Sequence, residues 1–440
     1  MMGSAMDLAS LFSAHVQRLQ AETEKALAAT GHDSLVIGSG APFTYFADDQ
    51  DAPFRPVPHF AHWCPLGGPH HLLHVVPGRK PRLVRFAPED YWYEQGGLTE
   101  PFWRDAFELE ERGALDAAWQ ALGSPKRAAY VGNENERAAS AGLAVNPKPL
   151  VARLDWLRSY KDAYEVRSLE EATANGARAH RAARAAFANG ATELEIHQAF
   201  CEAAGATEHA LPYGTIVALD EKAATLHYES KRKVGGGKVL LLDAGTQVRG
   251  YACDITRTVT ANGCDARFVE LVEAMDAVEQ DLARSATPGR PYLEVHLQAH
   301  AGVARVLSEL RLLRVSAEEG FAKGYTHPFF PHGVGHHLGI QVHDVAGHQA
   351  DAAGTPAPPP KEHPYLRNTR TIEAGHVFTI EPGLYFIPML LRRFRSGPEA
   401  QAFDWAAIDA LTPLGGVRVE DNVLVTASGP RNLTREQLAD

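Results

Sequence analysis

Cysteine is scarce in this chain: Cys64, Cys201, Cys253 and Cys264 are all it has in 440 residues. Four thiols so scattered, with no CxxC pair among them, exclude a disulfide scaffold and make a reducing cytoplasm the expected home. Nothing beside any of them would lower its pKa, so each reads as a small buried hydrophobe rather than a nucleophile. Long apolar runs are missing too. No window approaches 18 uninterrupted apolar residues, so no membrane span is expected. The opening stretch MMGSAMDLASLFSAHVQRLQAETEKALAAT lacks the basic region, apolar run and cleavage site of a secretory signal and reads as an amphipathic helix. There is no excess of basic charge: 43 Lys and Arg stand against 54 Asp and Glu, a net charge of −11. That balance argues against broad attraction to nucleic acid or an anionic membrane. The one low-complexity tract, the Pro-Ala-rich AAGTPAPPPKEHP at 352–364, reads as a loop with locally extended segments.

What is present is the composition of a globular protein, 45% hydrophobic and 22% charged, long enough for two or three domains. The first part mixes short apolar stretches such as HDSLVIGSG and RLVRFAP with loops rich in Pro, Gly and aromatics, the pattern of an α/β domain with a mostly buried sheet. Within it, FADDQDAPFRPVPHFAHWCPLGG at 46–68 is punctuated by prolines and is expected to be a long ordered loop. A linker containing Pro147 and Pro149 is expected to lead into a long helix from about Asp162 to near Gly190. The domains are therefore expected at 1–160 and 161–440. Thr192 and Glu195 have capping-box spacing ahead of the next helix. From Lys238 the run KVLLLDAGTQVRGYACDITRTVT turns strand-like around a Gly-containing turn, so the second domain reads as α+β with antiparallel hairpins.

Acidic residues in apolar strands carry the chemistry. With the turn at about 247–250, Asp243 and Asp254 are expected nearly opposite one another, where like charges destabilise a sheet unless something positive lies between them. A metal would resolve that cost; the plainer alternative has one Asp capping the turn and the other facing solvent. Thr256 shares the strand parity of Asp254 and could orient a carboxylate. The segment PHGVGHHLGIQVHD brings His332, His336, His337 and His343 together among glycines that disfavour a helix. It suits a loop threading an active site, with a histidine-rich surface loop as the alternative. Glu381 in HVFTIEPGLYF and Glu420 in GGVRVEDNVLV each interrupt or end an apolar strand-like run, a place also taken by ordinary strand-edge acids. Together these residues offer four hard oxygen ligands and one imidazole, a donor set suited to Mn²⁺, Mg²⁺ or iron. Two divalent cations would balance the four negative charges and could act as a two-metal clamp on water and a carbonyl.

These residues resemble the metallopeptidases of the pita-bread fold, which include prolidase, aminopeptidase P and methionine aminopeptidase. The likeness to the bacterial Xaa-Pro dipeptidase, or prolidase, branch covers the whole chain through FADDQDAPF, PHFAHW, LPYGTIVALDEKAATLHYE, HPYLRNTRTIEAG, TIEPGLYFIP and GGVRVEDNVLV. The resemblance implies a C-terminal pita-bread domain behind a smaller α/β domain, and two divalent ions, Mn²⁺ foremost, on Asp243, Asp254, His336, Glu381 and Glu420. Asp254 and Glu420 would bridge the metals, and Glu381 would also move the proton of a metal-bridging hydroxide's attack. His343 would stabilise the tetrahedral intermediate, His332 and His227 would line the pocket, and His337 has no assigned role. Arg418, on the face of Glu420 one strand repeat earlier, could brace a bridging carboxylate. Arg370 matches the arginine that receives a dipeptide's free carboxylate, with Arg367 as the weaker candidate. Tyr213 could line the same pocket. The family also implies a homodimer in which the loop at 46–68 caps the other subunit's site.

The activity so implied is hydrolysis of Xaa-Pro dipeptides. Its rivals are aminopeptidase P, which takes longer peptides, and organophosphorus acid anhydrolase on the same scaffold. A metal-free partner-binding relative and a creatinase-like amidinohydrolase are both disfavoured by the complete ligand set.

Overall fold

The structure, a computed structural model, describes residues 7–92, 98 and 101–438. The first six residues of the stretch read as an N-terminal helix lie outside the described residues. From there helix α1 runs Leu8–Thr30, with Asp7 accepting from the Ser10 N–H at 2.8 Å and Gly31 ending the helix at φ 74°. Its buried residues Phe12, His15, Val16, Leu19, Thr23, Ala26 and Leu27 follow helical spacing, which gives the helix one face for the core.

The chain divides into two compact units, Met1–Arg167 with Asp351–Thr355, and Ser168–Ala350 with Pro356–Asp440. The first holds strands β1 (Ser34–Gly38), β2 (Leu72–Val75), β3 (Arg82–Phe86), β4 (Glu108–Arg112), β5 (Ala128–Val131) and β6 (Ala144–Val145) in one mixed sheet of order β4-β3-β2-β1-β5-β6. β1 is buried along all five residues, as expected of an inner strand covered on both faces. Two expectations are corrected here. The loop at 46–68 contains a helix, α2 (Pro58–Trp63), and the supposed linker is helix α5 (Lys148–Arg158), which follows α3 (Leu115–Gln120) and α4 (Asn135–Ser140). Both helices carry proline in the first turn, where no N–H is needed, so prolines that read as breaks are starts.

Helix α6 (Ala163–Ala188) begins where expected. The Asp162 carboxylate accepts from the N–H groups of Tyr164 and Glu165, while Glu165 accepts from the Asp162 N–H. The capping box of Thr192 and Glu195 is present at the head of α7 (Glu193–Ala204).

In the second unit β7 (Ile216–Leu219), β8 (Val239–Asp243) and β11 (Thr256–Thr260) form one antiparallel sheet, with the small hairpin β9 (Gln247–Val248) and β10 (Tyr251–Ala252) between β8 and β11. Strand β12 (Val377–Ile380) pairs with β15 (Asp421–Thr426) and that with β16 (Gly429–Asn432), while β13 (Gly383–Tyr385) pairs with β14 (Gly416–Arg418). Helices α8 (Ala266–Ser285) and α9 (Tyr292–Glu309) supply Phe268, Leu271, Met275, Val295 and Val303 to a core shared with Phe378, Ile380 and Val423 of the strands. Asp243 ends β8, the central strand of its sheet, while Glu381 lies between β12 and β13 and Glu420 between β14 and β15.

Among the described residues no helix is long and apolar enough to cross a membrane. All four cysteines are free thiols, and burial pushes that of Cys253 up to about 11.

Candidate metal centre

Strand pairing assembles the centre. Arg249 and Gly250, at φ 54° and 86°, make the two-residue turn of the first ribbon, both at the positive φ that a type I′ hairpin needs. The turn is centred one residue later than expected, and this corrects the predicted pairing: Asp243 lies opposite Thr256 rather than Asp254. Asp254 instead faces Gly245, between the bonds from Ala244 N–H to Ile255 O and from Cys253 N–H to Thr246 O. The two aspartates are therefore diagonal neighbours on one face. Gly245 is required there, because a Cβ would fall 2.0 Å from the Cys253 carbonyl oxygen.

The next strand laterally carries Glu420, whose backbone pairs with Thr256. The register that sets Ile380 against Asp421 and Gly383 against Arg418 puts Glu381 directly opposite Glu420. Beyond it, the His336 and Thr379 backbones bond at 2.9 Å. Gly335 permits that approach: its φ is 153° and a Cβ would meet the Thr379 carbonyl oxygen at 2.0 Å. A row of adjacent extended segments thus presents Asp243, Asp254, Glu420, Glu381 and His336 in turn.

Asp243 and Glu381 are half-buried. Asp254, His336 and Glu420 are buried, and each offers a ligand atom within 4.8 Å of the other two. His336 Nε2 lies 3.4 Å from Asp254 Oδ2 and 3.6 Å from Glu381 Oε1. Its Nδ1 lies 2.9 Å from the His337 carbonyl oxygen, which places a proton on Nδ1 and turns Nε2 toward the carboxylates. Tyr213 stands between the aspartates, its hydroxyl 2.8 Å from Asp243 Oδ1 and 2.5 Å from Asp254 Oδ1. The pocket-lining place expected for Tyr213 is therefore a place among the ligand carboxylates.

The protonation equilibria record the strain of this arrangement. Burial, reinforced by Asp254, Glu381 and Asp243, raises the Glu420 carboxyl well above its ordinary range. Burial likewise pushes Glu381 up to about 7, against the opposing pull of His336 and Arg418. Asp243 is raised by burial even beside Arg418. Burial acts on Asp254 too, yet its hydrogen bond to His336 and that cation's charge leave its pKa lowered, while burial's downward pull on His336 is outweighed by the same partners. Four carboxylates with one guanidinium and one imidazole cannot all stay ionised at low cost, and two divalent cations would remove the conflict. The donor set fits two such ions.

Arg418 sets the polarity of the surrounding network. Its Nη2 donates to Asp243 Oδ2 at 2.7 Å, its Nη1 to the Tyr385 hydroxyl at 3.0 Å and its Nε to Thr256 Oγ1 at 3.3 Å. A guanidinium cannot accept, so both hydroxyls must send their single proton onward. Thr256 donates to Glu420 Oε2 at 2.6 Å, and Tyr385 donates to His332 Nε2 at 2.9 Å. His332 then holds its own proton on Nδ1, 2.8 Å from the Gly333 carbonyl oxygen and 3.7 Å from Glu381 Oε2. Arg418 thus braces Asp243 directly and Glu420 through Thr256.

His343 packs edge-on to His336 with ring centres 4.4 Å apart, and burial, His336 and Arg367 hold its pKa down near 4. Burial and Arg418 hold His332 near 3. Exposed His227 lies within electrostatic reach of both. His337 points elsewhere, edge-on to His376 at 4.9 Å. Arg370 is buried and paired with Glu373 at 3.1 Å, whereas exposed Arg367 is the guanidinium whose charge is felt at His343. Sequence reasoning missed Tyr385 and Thr379, the latter 3.5 Å from Glu381 Oε1, although both share the alternating parity of Glu381. It also missed Asn422, whose Oδ1 accepts from the Asp254 N–H at 3.2 Å.

Residues 167–427 match the family described as metallopeptidase family M24, and residues 10–156 match the Xaa-Pro dipeptidase N-terminal domain. The chain is 41% identical over 437 residues to the Xaa-Pro dipeptidase of Pseudoalteromonas atlantica, with 98% of each chain covered. It is 43% identical over 434 residues to that of Marinobacter nauticus, covering 98% of this chain and 99% of the relative. Among solved structures, proline aminopeptidase P II from Yersinia pestis superposes with a TM-score of 0.74 at 23% identity over 97% of each chain, a likeness of fold.

Proposed function

The chain belongs to metallopeptidase family M24, and on that premise we propose that it is a metal-dependent peptidase hydrolysing the Xaa-Pro bond of dipeptides. The observation that carries the reading is the row of four carboxylates around Nε2 of His336, in a chain aligned end to end with Xaa-Pro dipeptidases.

Asp243, Asp254, His336, Glu381 and Glu420 would hold two divalent cations. Once bound, such cations would supply a water of lowered pKa and a polarised carbonyl. The protein's own residues do the rest. Glu381, whose carboxyl is poised near neutrality by burial, takes a proton from the attacking water and returns it to the departing proline nitrogen. His343, neutral because burial holds its pKa down, offers an N–H to the oxygen that gains charge in the tetrahedral intermediate. His332, kept in one tautomer by Tyr385 and Gly333, lines the pocket beside Glu381, and His227 lines the entrance. Arg418 is a positioning residue, holding Asp243 in place and fixing the proton direction of Thr256 and Tyr385.

A substrate with only two residues presents a free carboxylate close to the bond that breaks, and a guanidinium is its natural receptor. Arg370 is the candidate by resemblance. The electrostatic reach of Arg367 to His343 supports Arg367 as a second. The oxygen-rich donor set supports Mn²⁺ as the working metal, and free thiols support a cytoplasmic home. A homodimer capped by residues 46–68 of the other subunit completes the proposal and would limit substrate length.

The test is a pair of isosteric variants. Asp254→Asn and Glu420→Gln each remove one ligand charge, and each is expected to abolish Ala-Pro hydrolysis while leaving a folded protein with reduced metal content. Full activity in either variant would refute the ligand assignment.

A further inference from the structure

Outside the carboxylate centre the second unit gathers four more imidazoles. Helix α9 places His296 and His300 four residues apart on its buried face. Against them lies His363, from the Pro-rich loop, with ring centres 4.5 Å from His296 and 5.1 Å from His300. His327 stacks on His363 at 5.4 Å and lies 4.9 Å from His300. The rings border a cavity of about 180 Å³ that Glu362, Tyr365 and, on the side of the carboxylate centre, His332 also line.

His300 Nδ1 lies 2.8 Å from the Thr326 hydroxyl, an oriented contact that leaves Nε2 as the free nitrogen. His296 Nε2 and His363 Nδ1 share a hydrogen bond at 3.0 Å, and His296 Nδ1 is buried with no hydrogen-bond partner among the described residues. A cluster of buried imidazoles that must all stay neutral is costly. Two nitrogens bound to one tetrahedral ion at roughly 2.0–2.1 Å would lie about 3.3 Å apart. The observed 3.0 Å is within a few tenths of that spacing.

We propose that His296, His300 and His363 form a second metal site, separate from the carboxylate centre, that takes a late first-row divalent cation such as Zn²⁺. One nitrogen from each residue already lies within 4.8 Å of the others. His327 or water is available for the fourth position. An all-imidazole set prefers Zn²⁺, Ni²⁺ or Co²⁺ over the harder Mn²⁺ that suits four carboxylates, so the two sites sort different metals. Burial and the neighbouring imidazoles hold His296 near 3 and His300 near 2, so both lone pairs are available at neutral pH. The cavity opens beside half-buried His327 and His363 and gives an ion a path in.

The experiment loads full-length, chelator-stripped protein with Mn²⁺, adds Co²⁺ or Zn²⁺, removes free metal and counts each element per chain. The wild type is expected to keep a third equivalent, as Co²⁺ or Zn²⁺, with the visible absorption of tetrahedral cobalt. His363→Ala, a change on a half-buried loop residue, is expected to lose that equivalent and its absorption while keeping two Mn²⁺ and Ala-Pro hydrolysis. A His296→Asn, His300→Asn double variant with unchanged circular dichroism should behave the same way. The proposal is overturned if the wild type takes up no third equivalent, or if His363→Ala binds cobalt with the same stoichiometry and spectrum.

Discussion

Arg418 offers the sharpest test of how the network works. Replacing it with Lys keeps the charge but not the fork: an ammonium can stay near Asp243 Oδ2, and it gives up the contacts to Tyr385 and Thr256. Hydrogen bonds from a charged donor contribute about 1.5–3 kcal/mol each, so losing two should destabilise the metal-free protein by about 3–6 kcal/mol. Gln at this position leaves Asp243 buried without its partner, a loss of similar size. The catalytic effect has a different origin. Without a donor that cannot accept, the Thr256 and Tyr385 hydroxyls are free to turn, so neither Glu420 nor His332 is held in one hydrogen-bonding state. Loss of such outer support to a metal ligand generally costs about 10–100-fold, or about 1.4–2.7 kcal/mol of barrier. Steady-state hydrolysis of Ala-Pro by Mn²⁺-loaded Arg418→Lys should show that loss in kcat more than in KM, with two metals still bound. Tyr385→Phe should be non-additive with it, since both changes cut the same path to His332. A wild-type kcat in Arg418→Lys, or strict additivity with Tyr385→Phe, would refute the reasoning.

Two further outcomes follow from particular residues. His180 is buried, with Nε2 2.9 Å from the Ala244 carbonyl oxygen, and burial, the largest influence, holds its pKa near 4 against an ordinary 6.5. The unfolded chain therefore takes up the proton first as pH falls, so the stability tied to this group is complete above about pH 6.5 and is lost as pH drops toward 4. The shift corresponds to about 3 kcal/mol, and His180→Gln should flatten the fall in Tm between pH 7 and pH 4.5; an unchanged slope would count against it. For the substrate's carboxylate, Arg367→Ala and Arg370→Ala should separate the candidates: the receptor's loss raises KM for Ala-Pro at least tenfold with kcat less affected, and an unchanged KM in both would remove the guanidinium from the specificity account.

The metal centre is legible in the sequence because a carboxylate inside an apolar strand is costly to bury unless a cation meets it. The acids so singled out, Asp243, Asp254, Glu381 and Glu420, do converge with His336. Their detailed pairing is not legible. It hinges on Arg249 occupying a positive φ beside Gly250, where the usual Asn-Gly or Asp-Gly signal is missing, so the sequence pattern centres the turn one residue early and matches Asp243 to the wrong partner. Prolines at 58 and 149 read as interruptions because a proline that ends a helix and one that begins a helix look alike without the following packing. Strand parity places Arg418 on the right face, but its principal partner, Asp243, is 175 positions away and belongs to a different sheet. The choice between Arg367 and Arg370 depends on which side chain leaves the loop toward His343, a matter that three residues of spacing do not encode.

The most direct test of the central claim is the rate of Ala-Pro hydrolysis, set against Ala-Pro-Ala, by chelator-stripped protein before and after two equivalents of Mn²⁺ are restored. The account predicts no hydrolysis without metal, recovery with it, and a clear preference for the dipeptide. Preference for the tripeptide, or undiminished hydrolysis in the stripped protein, would contradict it.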